Sequence, residues 1–446
     1  MTGGPGNDGL AGGPGNDRYL FDADVQLGTD ALTELPDGGM SILVFLGTTT
    51  GVRVNLGTMA TQTVNSNLNL RLNSNNAFIA VEGGAGNDTL IGNSLNNLFW
   101  GQQGNDVLYG LEGSDRLDGG SGDDQFVFDA DSASGTDRIA EVSGVDTLDF
   151  RLTSSDIRVS LGTTSTQIVN ANLSLLLAWS NIVENVIGGV GDDFLTGSSL
   201  ANWLSGNAGD DQLTGASGSD VLIGGSGNDN YLFAAATSAE ADVVGELSNE
   251  GTDTLTFSTL TKAVTLNLGK TAVQNVHANR TLRLNSVSSF ENAVGGSACD
   301  FLTGNGLGNV LTGNTGNDIL VGHGGNDQLL GGSGRDILIG GLNSDLLNGG
   351  ANDDILIAGR TTNDTSITIL SSLRKGWNQS TLFAARVTSL RAGFGSPTVS
   401  LKAKINVFDD AGANDSLTGG SGLDWYIRAV DDVITDLLSS EITDIL

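Results

Sequence analysis

The chain has 446 residues, 66 of them Gly and only 4 Pro, and its 52 acidic against 20 basic residues leave a net charge of −32. That balance lacks the basic footprint of a nucleic-acid binder, while 38% hydrophobic content is too apolar for a disordered chain. A single cysteine, Cys299, excludes a disulfide scaffold and reads as a small buried hydrophobe, and two histidines cannot build a three-His zinc site.

Apolar runs such as 42–46 and 175–179 are far too short to cross a bilayer. The opening stretch, Met1 to Gly6, has neither a charged n-region nor an apolar h-region, so no cleavable signal peptide is expected. Only ten of the acidic residues are Glu. A solvated acidic surface does not require such a bias toward Asp, whereas short carboxylates beside Gly suit tight turns.

Taken in order, residues 1–20 hold two nine-residue units, GGPGNDGLA and GGPGNDRYL. A strand-rich segment, 21–82, leads into five consecutive units from Gly83 to Val127. Segment 128–187 and a five-unit block from Gly188 repeat that plan, followed by segment 233–294 and a seven-unit block from Gly295 to Ile357. The block starts lie 105 and 107 residues apart. The segments resemble one another: Arg53-Val54-Asn55-Leu56-Gly57 answers to Arg158-Val159-Ser160-Leu161-Gly162 and to Thr265-Leu266-Asn267-Leu268-Gly269. Their apolar–polar alternation predicts short strands. The expected divisions are 1–20, a truncated repeat block; 21–127, 128–232 and 233–357, each a strand-rich segment plus a β-roll; and 358–446, a cap with one last unit at Gly419.

Residues 358–418 concentrate the scarce positive charge in Arg360, Arg374, Lys375, Arg386, Arg391, Lys402 and Lys404. Ile367, Leu370, Leu373 and Trp377, then Phe383, Val387 and Leu390, recur at helical spacing. Two short helices are predicted, with Ser380 as an N-cap and Gly393 as a stop, covering the open end of the coil.

The repeating unit is G-G-x-G-x-D-x-U-x, with U a large apolar residue. The glycines let a six-residue loop turn sharply with its carbonyls inward, and the last three residues form a strand whose middle member faces the core. Two units make one turn of a flattened right-handed coil, with turns stacked about 4.8 Å apart. Loop i then lies over loop i+2, and the carboxylates at position 6 fall into line. These are Asp8, Asp17, Asp88, Asp106, Asp115, Asp124, Asp193, Asp211, Asp220, Asp229, Asp300, Asp318, Asp327, Asp336, Asp345, Asp354 and Asp424.

Eight stacked pairs have Asp at both ends: Asp88–Asp106, Asp106–Asp124, Asp193–Asp211, Asp211–Asp229, Asp300–Asp318, Asp318–Asp336, Asp327–Asp345 and Asp336–Asp354. Left bare, neighbours near 5 Å repel by roughly 1–3 kcal/mol. Hard oxygen donors in this number suit Ca2+ between loops, with binding linked to folding. The second unit of each block carries Asn97, Asn202 or Asn309 instead. Pairs through these residues are either weaker sites or a metal-free Asn ladder.

These units resemble the RTX, or haemolysin-type, calcium-binding nonapeptide repeats. The resemblance implies a parallel β-roll with several Ca2+ ions between loops, secretion by bacteria and folding outside the cell. The array resembles large bacterial surface proteins, and the acidic–apolar end Ile442-Thr443-Asp444-Ile445-Leu446 is a candidate type I export signal or an ordinary strand. Ala298, Asn343 and Asn352 replace the third glycine of their units, which weakens the expectation at those loops.

No G-x-S-x-G elbow and no H-E-x-x-H occurs, and the Asp pairs recur with the loop period, so an enzyme is not expected. The fold class expected is all-β: parallel β-roll modules, strand-rich linking segments and a small α-containing C-terminal cap. The expected function is a calcium-binding structural repeat protein, secreted or at the cell surface, with calcium as partner and no nucleic acid or transmembrane segment. One alternative is an adhesin binding a cell surface, matrix component or carbohydrate through the linking segments or through Trp100, Trp179 and Trp203. Another is the C-terminal secretion and folding part of a longer protein, because Met1 runs straight into a repeat. The fold of the linking segments is open between a continuing coil and small separate sandwiches.

Overall fold

The structure is a computed structural model describing residues 1–35, 39–246, 250–395, 398, 400–402, 406–410 and 412–446; Lys404 therefore lies outside the described residues. The chain forms two compact units, residues 1–223 and 224–446.

Within the blocks of the N-terminal unit the nonapeptide strands pair in parallel at a spacing of 18 residues, so two units make one turn. Leu90 sits beside Leu108 and Leu108 beside Phe126 on one wall, and Phe99 beside Leu117 on the other. These middle residues are buried, as alternation along a strand requires.

The linking segments continue the same coil. Ser41–Val44 pairs in parallel with Arg18–Leu20 and with Phe78–Glu82. Gly135–Ala140 lies between Arg116–Ser121 and Leu173–Leu177, and Thr147–Asp149 between Gln125–Val127 and Asn185–Ile187. Where a block hands over to a segment, the aromatic after the last repeat strand stacks on one in the next turn. Phe21 packs on Phe45 at 5.5 Å and Phe128 on Phe150 at 5.1 Å.

In the C-terminal unit two long parallel ladders run beside a shorter one that pairs Glu240–Gly245 with Arg280–Leu284. One runs through Asn230–Leu232, Thr254–Thr256, Asn292–Val294, Val310–Thr315, Gln328–Ser333, Leu346–Ala351, Ser416–Ser421 and Val433–Ile434. The other runs from Thr265–Asn267 through Phe301–Thr303, Ile319–Gly324, Ile337–Leu342, Ile355–Ile357 and Trp425–Arg428 to Ile442–Ile445. Between Ile355–Ile357 and Trp425–Arg428 the chain leaves the coil, forms helices α1 (Ile367–Trp377) and α2 (Phe383–Ala392), and returns.

The helices do not close the end of the coil; they lie on the outer face of its second ladder. Leu370, Leu373, Trp377, Phe383, Val387 and Leu390 pack on Ile319, Ile337, Ile355 and Trp425, and on Val321, Ile339, Ile357 and Ile427. Those are the outward positions, 7 and 9, of every second unit, and apolar residues there create a second core outside the roll. Nor does Ser380 cap α2: Leu382 holds that position without a side-chain cap, while Gly393, at φ +112°, stops the helix as expected. Cys299, at position 5 of its loop, is half-buried rather than buried.

Trp377 belongs to this second core. It is fully buried, lies 5.8 Å from Phe383 and 6.3 Å from Trp425, and donates its indole N–H to the Asp353 carbonyl at 2.8 Å. Replacing it with Ala is expected to cost about 3–5 kcal/mol, read from urea unfolding in calcium; a loss below 1 kcal/mol would contradict this packing.

Candidate calcium-binding ladder

Position 6 carboxylates are tied to one another along the coil by their own backbone. The N–H of Asp88 donates to Oδ1 of Asp106 at 2.7 Å, and that of Asp106 to Oδ1 of Asp124 at 2.6 Å. The same link joins Asp193 to Asp211, Asp300 to Asp318, Asp318 to Asp336, Asp327 to Asp345 and Asp336 to Asp354, at 2.7–2.8 Å. Asp211 and Asp229, the remaining expected pair, belong to different compact units. Asp115 accepts from Asn97, Asp220 from Asn202 and Asp424 from Asp354, while Asp8 donates to Asp30 and Asp17 to Ser41.

Oδ1 is thus occupied by a neighbour's amide, and the fate of Oδ2 depends on the loop. In the first loop of each block the position-2 N–H reaches back to it: Gly84 to Asp88, Gly189 to Asp193 and Gly296 to Asp300, at 2.6–2.8 Å. The second loop uses the same geometry, with Asn93, Ser198 and Asn305 donating to Oδ1 of Asn97, Asn202 and Asn309. The amide groups of these asparagines donate in turn to carbonyls such as those of Ile79, Glu184 and Glu291. The Asn positions therefore form hydrogen-bonded rungs.

From the third loop on, position 2 takes a positive φ, as at Gly120 (+106°), Gly332 (+104°) and even Gln102 (+83°). Left-handed backbone at a non-Gly residue costs on the order of 1–3 kcal/mol. For Asp106, Asp115, Asp124, Asp318, Asp327, Asp336, Asp345, Asp354 and Asp424 the position-2 N–H no longer reaches back, and Oδ2 is buried without a hydrogen-bond partner. The same holds for Asp8 and Asp17. Position 1 must be Gly because a Cβ there would meet this oxygen and the carbonyl of the next turn together. At Gly331 both Asp336 Oδ2 and the Gly349 carbonyl would lie 2.5 Å away.

Burial without donors raises the acidity constants. Desolvation pushes Asp106, Asp115, Asp327 and Asp336 up to about 7 and Asp318 and Asp345 to about 8. Asp354, desolvated and facing Asp336 and Asp424, is pushed to about 10. The first-loop residues Asp88, Asp193 and Asp300, which keep two N–H donors, rise only to about 6. A row of hard, orphaned, buried oxygens beside backbone carbonyls fits Ca2+ on donor chemistry alone.

Several members of the ladder were missed in the sequence. Asp115 donates to Oδ1 of Asp137, Asp124 to Asp146, Asp229 to Asp253, Asp345 to Asp415 and Asp415 to Asp432. Asp415 sits in a degenerate unit, Asp410 to Thr418, in which only its Ser-Leu-Thr strand and the phase with Gly419 betray the repeat. Asp137 belongs to a D-x-x-x-E motif present in all three segments, Asp30–Glu34, Asp137–Glu141 and Asp242–Glu246, and that recurrence was the available signal.

The fold and the ladder together define a calcium-binding parallel β-roll. Its units are RTX calcium-binding nonapeptide repeats: the model of that repeat (4 copies) matches residues 1–22, 81–94, 91–126, 196–231, 303–338 and 330–363. No curated protein matches the chain. Among solved structures it is similar to a hyperactive, Ca2+-dependent, β-helical antifreeze protein from an Antarctic bacterium, at 15% identity over 94% of this chain and 85% of that one, with a TM-score of 0.17. Among the described residues no helix is long and apolar enough to cross a membrane.

Proposed function

We propose that the chain is a non-catalytic structural repeat protein that works outside the cell and is completed by calcium after export. The observation that carries this reading is the run of buried carboxylate oxygens without donors. In the C-terminal unit Arg374 is near Asp300 and Asp318, but its guanidinium donates to the carbonyls of Asp300 and Asn317 rather than to a carboxylate. The proposed ligands are Asp106, Asp115, Asp124, Asp318, Asp327, Asp336, Asp345 and Asp354, together with Asp8, Asp17 and Asp424, on these oxygens, and Asp211, Asp220 and Asp229 by their place in the repeat alone. Extracellular calcium modules work at roughly 10⁻⁴–10⁻³ M Ca2+, a concentration found outside rather than inside cells. Each linking segment plus the block after it is the proposed structural module.

An adhesive surface is the weaker reading. Trp377 and Trp425 are buried, Trp100 and Trp203 half-buried and Trp179 exposed, so the described tryptophans do not make a co-facing exposed row.

The test is a calcium titration of the full chain after chelation, followed by far-UV circular dichroism with magnesium as control. Calcium-driven gain of β structure supports the reading. Full β structure in chelator at pH 8, unmoved by calcium, overturns it.

A further inference from the structure

The repeat blocks at 3–20, 83–127 and 188–232 end where the last loop is overlaid by the next linking segment instead of another repeat loop. At the second such handover, segment residues Glu141 and Asp146 stand over Asp124. One carboxylate oxygen from each of the three lies within 4.8 Å of the others, and all three residues are at least nine-tenths buried. Glu141 is held through Oε1 by the Val142 N–H at 2.8 Å, which leaves Oε2 buried and without a partner. Asp124 Oδ2 is orphaned in the same space, and a Cβ on Gly119 would collide with both oxygens. Two acceptor oxygens converging with no donor between them require a cation or a shared proton.

The chain repeats the arrangement with variations. Asp229, Glu246 and Asp253 form a second buried triad, where the Tyr231 hydroxyl also donates to Glu246. At the first handover Asp17 and Glu34 converge on Gly12, Tyr19 donates to Glu34 at 2.6 Å, and Ser41 occupies the place of the third carboxylate. The second handover has Phe126 where the others have Tyr, so no hydroxyl serves Glu141.

We propose that Asp124, Glu141 and Asp146 form a separate calcium site, built jointly by the repeat block and the linking segment, and that Asp229, Glu246 and Asp253 form its counterpart. This rests on the calcium reading of the repeats and adds to it. A third carboxylate raises the charge on the ion's shell, and calcium affinity rises with ligand charge. These sites fill before those between loops and fasten the second and third linking segments to the blocks before them.

The experiment is isothermal titration of the full chain with calcium, comparing wild type with Glu141→Gln, Glu246→Gln and the double variant. Each single variant is expected to remove one ion from the tightest class, by weakening it tenfold or more, and the double variant two. Asp146→Ser, which copies the tolerated first handover, is expected to behave like Glu141→Gln. Thermal melting supplies an independent sign: Glu141→Gln is expected to lower Tm in calcium and to raise it in chelator, where it relieves carboxylate repulsion. Wild type binding calcium with a tight class unchanged in all variants would overturn this site, leave the repeat reading standing, and assign the Asp124–Glu141 contact to a shared proton. Wild type binding no calcium would overturn both.

Discussion

Stripped of calcium, the protein is expected to keep its β structure near pH 5 and lose it by pH 8. Orphaned carboxyls such as Asp106, Asp327 and Asp336 are raised to about 7 in the fold, and Asp318 and Asp345 to about 8, against roughly 3.9 in an unfolded chain. Between those limits the folded state holds more protons than the unfolded one, so stability falls as pH rises, by about 1.4 kcal/mol per pH unit for each group still titrating. Below about pH 4 both states are protonated and the penalty vanishes. Asp24 and Asp131 act oppositely: hydroxyl and amide donors from Thr49, Thr50, Ser154 and Ser155 hold them down at about 2. Their contribution is lost as pH falls toward that value, which places the optimum near pH 4–5. Calcium added at pH 8 is expected to restore the fold, because the same carboxylates must be deprotonated to bind it. Urea midpoints at both pH values in chelator decide the matter, and greater stability at pH 8 would contradict the account of the ladder.

Substituting Gly334 with Ala is expected to cost at least about 4 kcal/mol, among the largest effects a single methyl can have. Its φ is +141°, and an added Cβ would run into the backbone carbonyl of Gly316, one turn away. Neither atom belongs to a side chain that can swing aside, so the turns must separate and the Asp318–Asp336 link with them. Gly324→Ala is the control. It sits at position 3 of its loop with nothing within 4 Å and no positive φ, so the change is expected to be neutral or to stabilise by about 0.4–1 kcal/mol. Urea unfolding of both in saturating calcium tests the contrast, and equal losses would refute the steric argument.

The nonapeptide phase was legible because the backbone itself fixes its letters. Gly331 must leave room for an oxygen, Gly334 for a carbonyl, and Asp336 must be short enough to take its neighbour's amide. Asn at 97, 202 and 309 was visible too, but its reason was not. The Asn amide donates to a linking-segment carbonyl, that of Ile79, Glu184 or Glu291, which a carboxylate cannot do. Those segments hid their continuity because a strand such as Ser41–Val44 pairs in the coil without needing glycine loops. The helices could be read from their 3.6-residue period, yet their seat could not, until Ile319, Ile337 and Ile355 are recognised as apolar at positions that otherwise face water.

The departure that carries α1 and α2 has a practical reading. Asp327 and Asp345 are 18 residues apart and linked at 2.8 Å, while Asp345 and Asp415 are 70 apart and linked at 2.7 Å. The stack is indifferent to how much polypeptide is looped out between adjacent turns, provided the register closes again. The corner between Ile357 and Ser416 is therefore a natural splice point, where foreign sequence with its own fold is accommodated without shifting any carboxylate from its column.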